Sequence, residues 1–387
     1  MSFDLMKTSL IGLPFLFGLV GATVGVVVLA CWPGRRRWRR ALLATAAVVL
    51  SLASTAAWIN AYFAYMPSVG AVLGQRARDQ VSPTALRRRM QLISAAGDPA
   101  AVVAAARPIA HPVARPSGHV APVPARGVVE RVGIPGTSSG FRARTAQVYL
   151  PPAWFARPRP RLPVIELLHG TPGAPEDWTR AGMADVTADR WAATHAGVAP
   201  VIVMPDSNGS FTGDTECVDR PQARADTYLS ADVPAWAVAN LGVSADRSNW
   251  AIVGSSEGGY CALELALRHP DRYATFMDMS GLDRPTWPGG ALRQFGGSWR
   301  AYDDHLPALQ MTAHPLRLSL SGWFTAGAAD GEVTRAVRTM ATVAKRAGID
   351  TMLVMPANAH HTWRVWRHAF ADAFPWLAAK VGLPARV

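Results

Sequence analysis

Two long uncharged runs constrain what the N-terminal part of this chain can form. Residues 8–34 and 41–75 contain no Asp, Glu, Lys or Arg, which gives runs of 27 and 35 residues. A helix that crosses the hydrocarbon layer of a bilayer needs about 20 apolar residues. The sequence therefore predicts a two-helix transmembrane hairpin over residues 1–75. A cleaved signal peptide is the alternative for the first run, but it would leave the second run unexplained.

An arginine cluster between the two runs predicts their orientation. Residues 35–40 read Arg-Arg-Arg-Trp-Arg-Arg, which places five positive charges in six positions. Short loops rich in Lys and Arg stay in the cytoplasm. We therefore expect the N-terminus and everything after the second run to lie outside the cytoplasm. Three further arginines at positions 87–89, on the predicted outer side, count against this orientation.

Residues 76–126 are predicted to connect the hairpin to a folded domain. Ser82-Pro83 followed by Leu86, Met90 and Ile93 predicts a short helix lying on the membrane surface. Residues 97–126 contain six prolines and are typical of an extended stalk. At about 3.1 Å per residue, this stalk could hold a domain several tens of Å from the bilayer.

The net charge of +12 is a property of this N-terminal part. Residues 1–126 hold 14 Lys and Arg against 3 Asp and Glu, whereas residues 127–387 hold 25 against 24. The C-terminal part therefore lacks the basic excess that binding to nucleic-acid phosphates requires. We expect no nucleic-acid partner.

From residue 127 onwards, short apolar runs alternate with helical stretches, which predicts an α/β domain with a mostly parallel central sheet over residues 127–387. The last six predicted strands are apolar enough to be buried. The strands are predicted at residues 128–134, 146–150, 162–168, 201–204, 250–253, 274–279, 316–323 and 351–355. The clearest helices are predicted at residues 260–268, 331–347 and 363–381.

The strongest chemical motif lies between a predicted strand and a predicted helix. Residues 254–258 read Gly-Ser-Ser-Glu-Gly, the Gly-x-Ser-x-Gly pattern of a nucleophile elbow. Small residues allow the strained turn that exposes the central serine. Ser256 is therefore the predicted nucleophile, and the following helix N-terminus favours negative charge beside it.

A serine nucleophile needs a base, and in this type of fold the chain order is serine, acid, histidine. His360 and His361 directly follow the last predicted strand. Asp330 and Glu332 are the first carboxylates after the strand predicted at residues 316–323. Either acid could instead serve as an N-terminal residue of the next helix. Asp330 is favoured as the triad acid, and Glu332 is the alternative.

These stretches together resemble the putative-esterase branch of the α/β-hydrolases, which includes S-formylglutathione hydrolases and mycobacterial mycolyltransferases. The resemblance covers residues 128–381 and rests on His169-Gly170, residues 203–209, the elbow, residues 279–281 and the segment from His361. That last segment reads His-Thr-Trp-x-x-Trp, which is similar to the family's His-Ser-Trp-x-x-Trp. It selects His361 over His360 as the base and makes Trp363 a candidate for substrate binding.

The resemblance also implies an oxyanion hole, built from the backbone N–H groups of Thr171 and Glu257. One departure from the mycolyltransferases concerns the acceptor. Those enzymes carry an arginine just after the first of these positions that helps hold trehalose, whereas this chain has Pro172 and Gly173. Trehalose is therefore not the expected acceptor, and the membrane hairpin is also absent from those secreted enzymes.

The cysteines suggest a disulfide rather than a metal site. Cys217 lies in a loop after a predicted strand, and Cys261 lies in the first turn of the helix after Ser256. These regions converge at one end of the sheet, and an oxidising compartment permits a bridge between them. No Cys-x-x-Cys pair or His/Cys cluster is present, so neither a metal nor another cofactor is indicated. His169 is interpreted as a structural residue.

The sequence thus predicts a multi-pass membrane protein with an extracytoplasmic serine esterase domain that forms an acyl-enzyme. Its location suggests a lipid or cell-envelope ester as substrate. An acyltransferase that passes the acyl group to an envelope alcohol is one alternative. A non-catalytic domain of the same fold, binding an envelope ligand or partner protein, is the other.

Overall fold

The computed structural model describes residues 9–34, 36–66, 69, 123–221, 223–286, 290–313 and 318–384. The predicted membrane-surface helix and all but the last few residues of the predicted stalk lie outside these described residues. The predicted boundaries of the three parts therefore stay predictions.

The described N-terminal residues form two helices that pack against each other. Helix α1 spans Leu13–Cys31 and helix α2 spans Arg37–Phe63. The Oγ1 of Thr23 and the Oγ of Ser54 are 3.1 Å apart between them. Most of their large apolar side chains are exposed. Both helices are long and apolar enough to cross a membrane, by length and composition.

Within the described residues, the domain that follows is built on an eight-stranded sheet. The strands are β1 (Val128–Val132), β2 (Ala146–Leu150), β3 (Val164–Leu168), β4 (Val201–Met204), β7 (Trp250–Ser255), β8 (Thr275–Met279), β9 (Ser321–Thr325) and β10 (Asp350–Val354), with β5 (Asp219–Arg220) and β6 (Ala223–Arg224) forming a separate hairpin. The order across the sheet is β1-β2-β4-β3-β7-β8-β9-β10. Among the strands that the described residues contribute to this sheet, only β2 runs against its neighbours. This arrangement confirms the predicted α/β-hydrolase fold.

Helices cover both faces of this sheet. They are α3 (Asp177–Arg180), α4 (Ala184–Thr194), α5 (Ala225–Thr227), α6 (Val233–Leu241), α7 (Glu257–Arg268), α8 (Ala291–Gln294), α9 (Trp299–Asp303), α10 (Pro307–Ala313), α11 (Gly331–Arg346) and α12 (Trp363–Lys380). Helices α6, α7 and α11 bury apolar side chains in one core cluster. Helices α3, α4 and α12 bury theirs in a second cluster. Alternate residues of β3 contribute to the two clusters, as expected for a strand buried on both faces.

Two details of the strand predictions are wrong. The strand predicted at residues 316–323 lies later, because its pairing with β8 begins at the match of Ser321 with Thr275. The last strand is not buried: Met352 and Leu353 are each 41% exposed, because β10 is an edge strand of the sheet. Apolar composition alone therefore did not reveal which strand is the edge.

The end of α2 contacts the domain directly. The hydroxyl of Tyr65 donates to Asp177 Oδ1 at 2.7 Å and accepts from Arg180 at 2.8 Å. The Arg180 guanidinium also lies 4.7 Å from the centre of the Tyr65 ring. The rings of Tyr62 and His360 are 6.0 Å apart. The end of α2 therefore lies against the domain in the structure.

Candidate active site

Ser256 occupies a strained turn between β7 and α7, with φ of 58° and ψ of −124°. Non-glycine residues rarely adopt this conformation. The flanking glycines make the turn possible: a Cβ on Gly254 would lie 1.9 Å from the carbonyl oxygen of Gly258, and one on Gly258 would lie 2.5 Å from that of Leu168. The backbone N–H of Ser256 donates to the carbonyl of Met279 at 2.8 Å. The turn is thus fixed by close backbone contacts that larger residues would prevent.

His361 lies between Ser256 and a carboxyl group. Its Nε2 is 2.9 Å from Ser256 Oγ, and its Nδ1 is 2.8 Å from Asp330 Oδ2. The imidazole stands edge-on to the Trp366 ring, with centroids 4.9 Å apart. Trp366 is itself held by a hydrogen bond from Nε1 to Ser280 Oγ at 3.0 Å. The arrangement is one in which a hydroxyl proton can pass to an oriented imidazole.

The loops that carry Asp330 and His361 are joined by their backbones. The N–H of Ala329 donates to the carbonyl of Ala359 at 2.9 Å. Gly327 allows this approach, since a Cβ there would lie 2.2 Å from the same carbonyl oxygen. The distance from Asp330 to His361 is therefore set by the backbone on both sides.

Glu332 and His360, the alternatives to Asp330 and His361, do not contact Ser256. Glu332 is 58% exposed at its side chain and accepts a hydrogen bond from Arg284 at 2.6 Å. His360 faces Tyr62 of α2. Of the candidate acids and bases, the structure brings Asp330 and His361 to Ser256.

The residues expected to form the oxyanion hole also lie beside the nucleophile. Gly170 passes so close that a Cβ on it would lie 2.9 Å from the Cβ of Ser256. The next residue, Thr171, makes a side-chain hydrogen bond with Glu257. Asn208 Nδ2 donates to both, at 2.7 Å to Thr171 Oγ1 and 2.6 Å to Glu257 Oε2. Nothing in the sequence indicated this link, and Asn208 had no predicted role.

A buried network supports the oxyanion segment from behind. His169 is fully buried, with Nδ1 2.8 Å from the carbonyl of Gly170 and Nε2 3.2 Å from Asp206 Oδ1. Arg144 donates to the carbonyl of Gly173 and to Asp206. Burial alone would raise the pKa of Asp206, but the hydrogen bonds from His169 and Arg144 outweigh it and hold that pKa well below its usual range. His169 is therefore engaged within the protein. Among the described residues, no group of three or more His, Cys, Asp or Glu could hold a metal ion.

The predicted disulfide is confirmed. Cys217 and Cys261 are bonded, with their Cα atoms 5.6 Å apart. The bridge joins the loop that carries Asn208 to helix α7, which begins at Glu257. It therefore connects two of the segments that meet at the oxyanion side of the site.

Trp363 lies in the protein core rather than on an open surface. It is 6% exposed and packs edge-on against Trp178 and Trp366, with centroids 5.3 Å and 5.1 Å away. Its position explains the Trp-x-x-Trp spacing of the segment by packing, because it places both rings on one face of α12. Little of the Trp363 ring is left for a substrate.

Comparison with known proteins supports the chemistry that this geometry suggests. The profile of a family described as "Putative esterase" matches residues 138–377. An uncharacterised protein of Corynebacterium glutamicum is 38% identical over 272 residues, which cover 66% of this chain and 63% of that protein. The chain thus spans less than two thirds of that relative's length.

Solved structures share the fold. A ferulic acid esterase is 18% identical with a TM-score of 0.57, and the match covers 66% of this chain and 99% of that one. An S-formylglutathione hydrolase from Agrobacterium tumefaciens is 20% identical with a TM-score of 0.55, covering 67% of this chain and 97% of that one. At these identities the likeness concerns the fold alone.

Proposed function

This chain belongs to the putative esterase family, and from that premise we propose that it is a membrane-anchored serine esterase whose catalytic domain lies outside the cytoplasm. The observation that carries the proposal is the position of His361, within 2.9 Å of Ser256 Oγ and 2.8 Å of Asp330 Oδ2. A binding domain would have no need for this alignment.

In the proposed reaction, Ser256 Oγ attacks the ester carbonyl while its proton passes to His361 Nε2. The carboxylate of Asp330 accepts the Nδ1–H bond and stabilises the imidazolium. The backbone N–H groups of Thr171 and Glu257 stabilise the oxyanion of the tetrahedral intermediate. His361 then gives its proton to the leaving alcohol oxygen, which leaves an acyl group on Ser256. Water, deprotonated by His361, releases the acid and restores the serine.

The proposed substrate is a lipid or cell-envelope ester. A cavity of about 450 Å³ is lined by Ala61 and Tyr62 at the end of α2 and by His360 and Thr362 on either side of His361. If α1 and α2 span a bilayer, the base of the triad therefore lies close to the membrane surface. The disulfide supports an oxidising compartment outside the cytoplasm.

The test is labelling of the full-length protein in membranes with a fluorophosphonate probe, followed by hydrolysis of short acyl esters. We expect covalent labelling at Ser256 and release of the free acid. Product analysis with an added alcohol separates the two enzyme classes, because an acyltransferase would yield a new ester instead. Intact protein that neither binds the probe nor turns over esters would indicate a binding domain.

The side of the membrane on which the catalytic domain lies is tested by a separate experiment. A reporter that is active only outside the cytoplasm, fused after Val387, is expected to be active. Activity of a cytoplasmic reporter alone at that position would invert the proposed topology. Comparison of envelope lipids in cells with and without the protein would then identify the ester.

A further inference from the structure

The residue after the nucleophile carries a carboxyl group that the reaction above does not use. Part of Glu257 reaches solvent, but its carboxyl group is buried. Oε2 contacts Thr171 Oγ1 and lies 2.6 Å from Asn208 Nδ2, while Oε1 accepts from the N–H of Glu216 at 3.3 Å. This carboxyl group therefore bridges the helix of the nucleophile and the segment that carries Thr171.

The Thr171 hydroxyl has too few hydrogens for the oxygen atoms around it. The hydroxyl has one hydrogen but faces two oxygen atoms: the carbonyl of Gly213 at 2.7 Å and Glu257 Oε2. Its third neighbour, Asn208 Nδ2, can only donate, because Asn208 Oδ1 already accepts from the N–H of Thr215. If the Thr171 hydrogen goes to Gly213, the hydrogen between Thr171 and Glu257 must come from Glu257.

The surrounding charges favour the same protonation state. Asp214 and Glu216 are the titratable groups that face Glu257 from the loop before β5, and Arg220 lies behind them. Burial, and then the negative charge of Asp214, raise the pKa of Glu257 well above its ordinary value. Burial and Asp214 likewise raise the pKa of Glu216 to about 7. Burial also raises the pKa of Asp214, whose side chain hydrogen-bonds to that of Glu257. Thr171 and Asn208, the other side chains in contact with this carboxyl group, do not titrate.

We propose that Glu257 works as a neutral carboxylic acid, whose Oε2–H donates to Thr171 Oγ1 and positions the Thr171 backbone N–H for the oxyanion. The inference rests on the proposed function, since it assigns Thr171 to the oxyanion hole. Glu257 is in this sense a positioning residue through its side chain. Its neutral form also keeps a negative charge away from the place where the reaction creates another.

The kinetic test compares two substitutions across pH. Ionisation of Glu257 should inactivate the enzyme, so the wild-type kcat/KM should decline above its pKa by about tenfold per pH unit. Glu257→Gln keeps a neutral donor and should retain activity within about tenfold near neutral pH, with the acid limb unchanged and the alkaline limb lost. Glu257→Ala removes the donor and should lower kcat by about 100-fold at pH values below the pKa of Glu257, without an alkaline limb of its own.

Two kinetic outcomes would overturn the proposal. One is an alkaline limb in Glu257→Gln that matches the wild type. The other is Glu257→Gln activity as low as that of Glu257→Ala, which would mean that the negative charge itself is needed. Glu332→Gln is the matched control, because it removes an exposed carboxylate of the same kind outside the site.

An infrared measurement tests the protonation state without relying on activity. With isotopically labelled glutamate, the wild type minus Glu257→Gln difference spectrum near pH 7 should show one carboxylic acid carbonyl band. The raised pKa values of Glu166, about 8, and Glu216, about 7, give bands common to both proteins that cancel. If Glu257→Gln does not fold, Thr171→Val removes the acceptor, and the band should shift instead. Absence of the band, or of the shift, overturns the proposal.

The activity assays and the infrared measurement together distinguish failure of the proposed function from failure of the proposed role of Glu257. A band without fluorophosphonate labelling or ester hydrolysis would leave Glu257 protonated but remove the proposed enzyme function. Hydrolysis without the band would keep the enzyme and remove the role of Glu257.

Discussion

The site around Ser256 has two halves, and the carboxyl group in each half is proposed to have a different charge. In the triad half, Asp330 lies against His361, on loops joined by backbone hydrogen bonds. In the oxyanion half, Glu257 lies among two further acids, Asp214 and Glu216. The proposed reaction creates positive charge on His361 and negative charge on the substrate oxygen. In the triad half, a carboxylate therefore stabilises the positive charge on His361. In the oxyanion half, the nearest carboxyl group must be neutral so that it does not repel the oxyanion.

Removing the residue shared by both halves should have the largest effect. Ser256→Ala is expected to lower kcat by about 10⁶-fold, as serine replacement does in other triad enzymes. Fluorophosphonate labelling should disappear while the unfolding temperature stays close to that of the wild type. The neighbouring Ser255→Ala, which alters a buried hydroxyl that has no hydrogen-bond partner among the described residues, is the control. Equal losses in both variants would remove Ser256 from the mechanism.

The charge of the triad half is tested next. Asp330→Asn should lower the acylation rate by about 10⁴-fold, because the amide favours the wrong imidazole tautomer. Stopped-flow measurement of acylation gives this rate directly.

Glu332→Gln is the comparison for that variant and should cost less than about tenfold, or about 1.4 kcal/mol. The reverse ranking would transfer the role of the acid to Glu332. Small effects of both substitutions would place the acid elsewhere.

The oxyanion half should respond more weakly to the loss of a supporting side chain. Asn208→Ala removes the donor to both Thr171 and Glu257 and should lower kcat by about tenfold, less than the loss of a direct oxyanion donor. KM should change little. Asn240→Ala on α6 serves as the control for loss of an amide. An unchanged kcat in Asn208→Ala would show that Thr171 is positioned without this link.

The disulfide should affect stability more than catalysis. It closes a loop across a separation of 44 residues, for which the chain-entropy relation gives about 4 kcal/mol. The double substitution of Cys217 and Cys261 by serine should therefore lower the unfolding temperature markedly, with kcat at 25 °C within about threefold. Cys31→Ser is the control. Two free thiols in protein purified from the outer side of the membrane would contradict the bridge.

The residues of the triad half could be predicted from the sequence because each of them follows the end of a strand. The Gly-x-Ser-x-Gly motif predicted Ser256 as the nucleophile. The order serine, acid, histidine along the chain, together with positions just after strand ends, predicted Asp330 and His361. The structure brings these three within hydrogen-bond distance.

The oxyanion half could not be read in the same way. Glu257 meets Thr171 across 86 residues and Asn208 across 49, and no local pattern encodes such side-chain contacts. The exposure of β10 was missed for a related reason, because Met352 and Leu353 look buried until the strand order is known. An aromatic residue near the base, Trp363, looked like a substrate contact but is part of the core.

The conformation of the turn at Ser256 lowers the stability of the fold, although the proposed reaction requires it. Its φ of 58° is one that an L-residue holds at a cost of about 1–3 kcal/mol. Glycine has no such penalty, so Ser256→Gly would fold into the same elbow with less strain and no nucleophile. Selection for thermal tolerance alone would therefore favour loss of the reaction at this position.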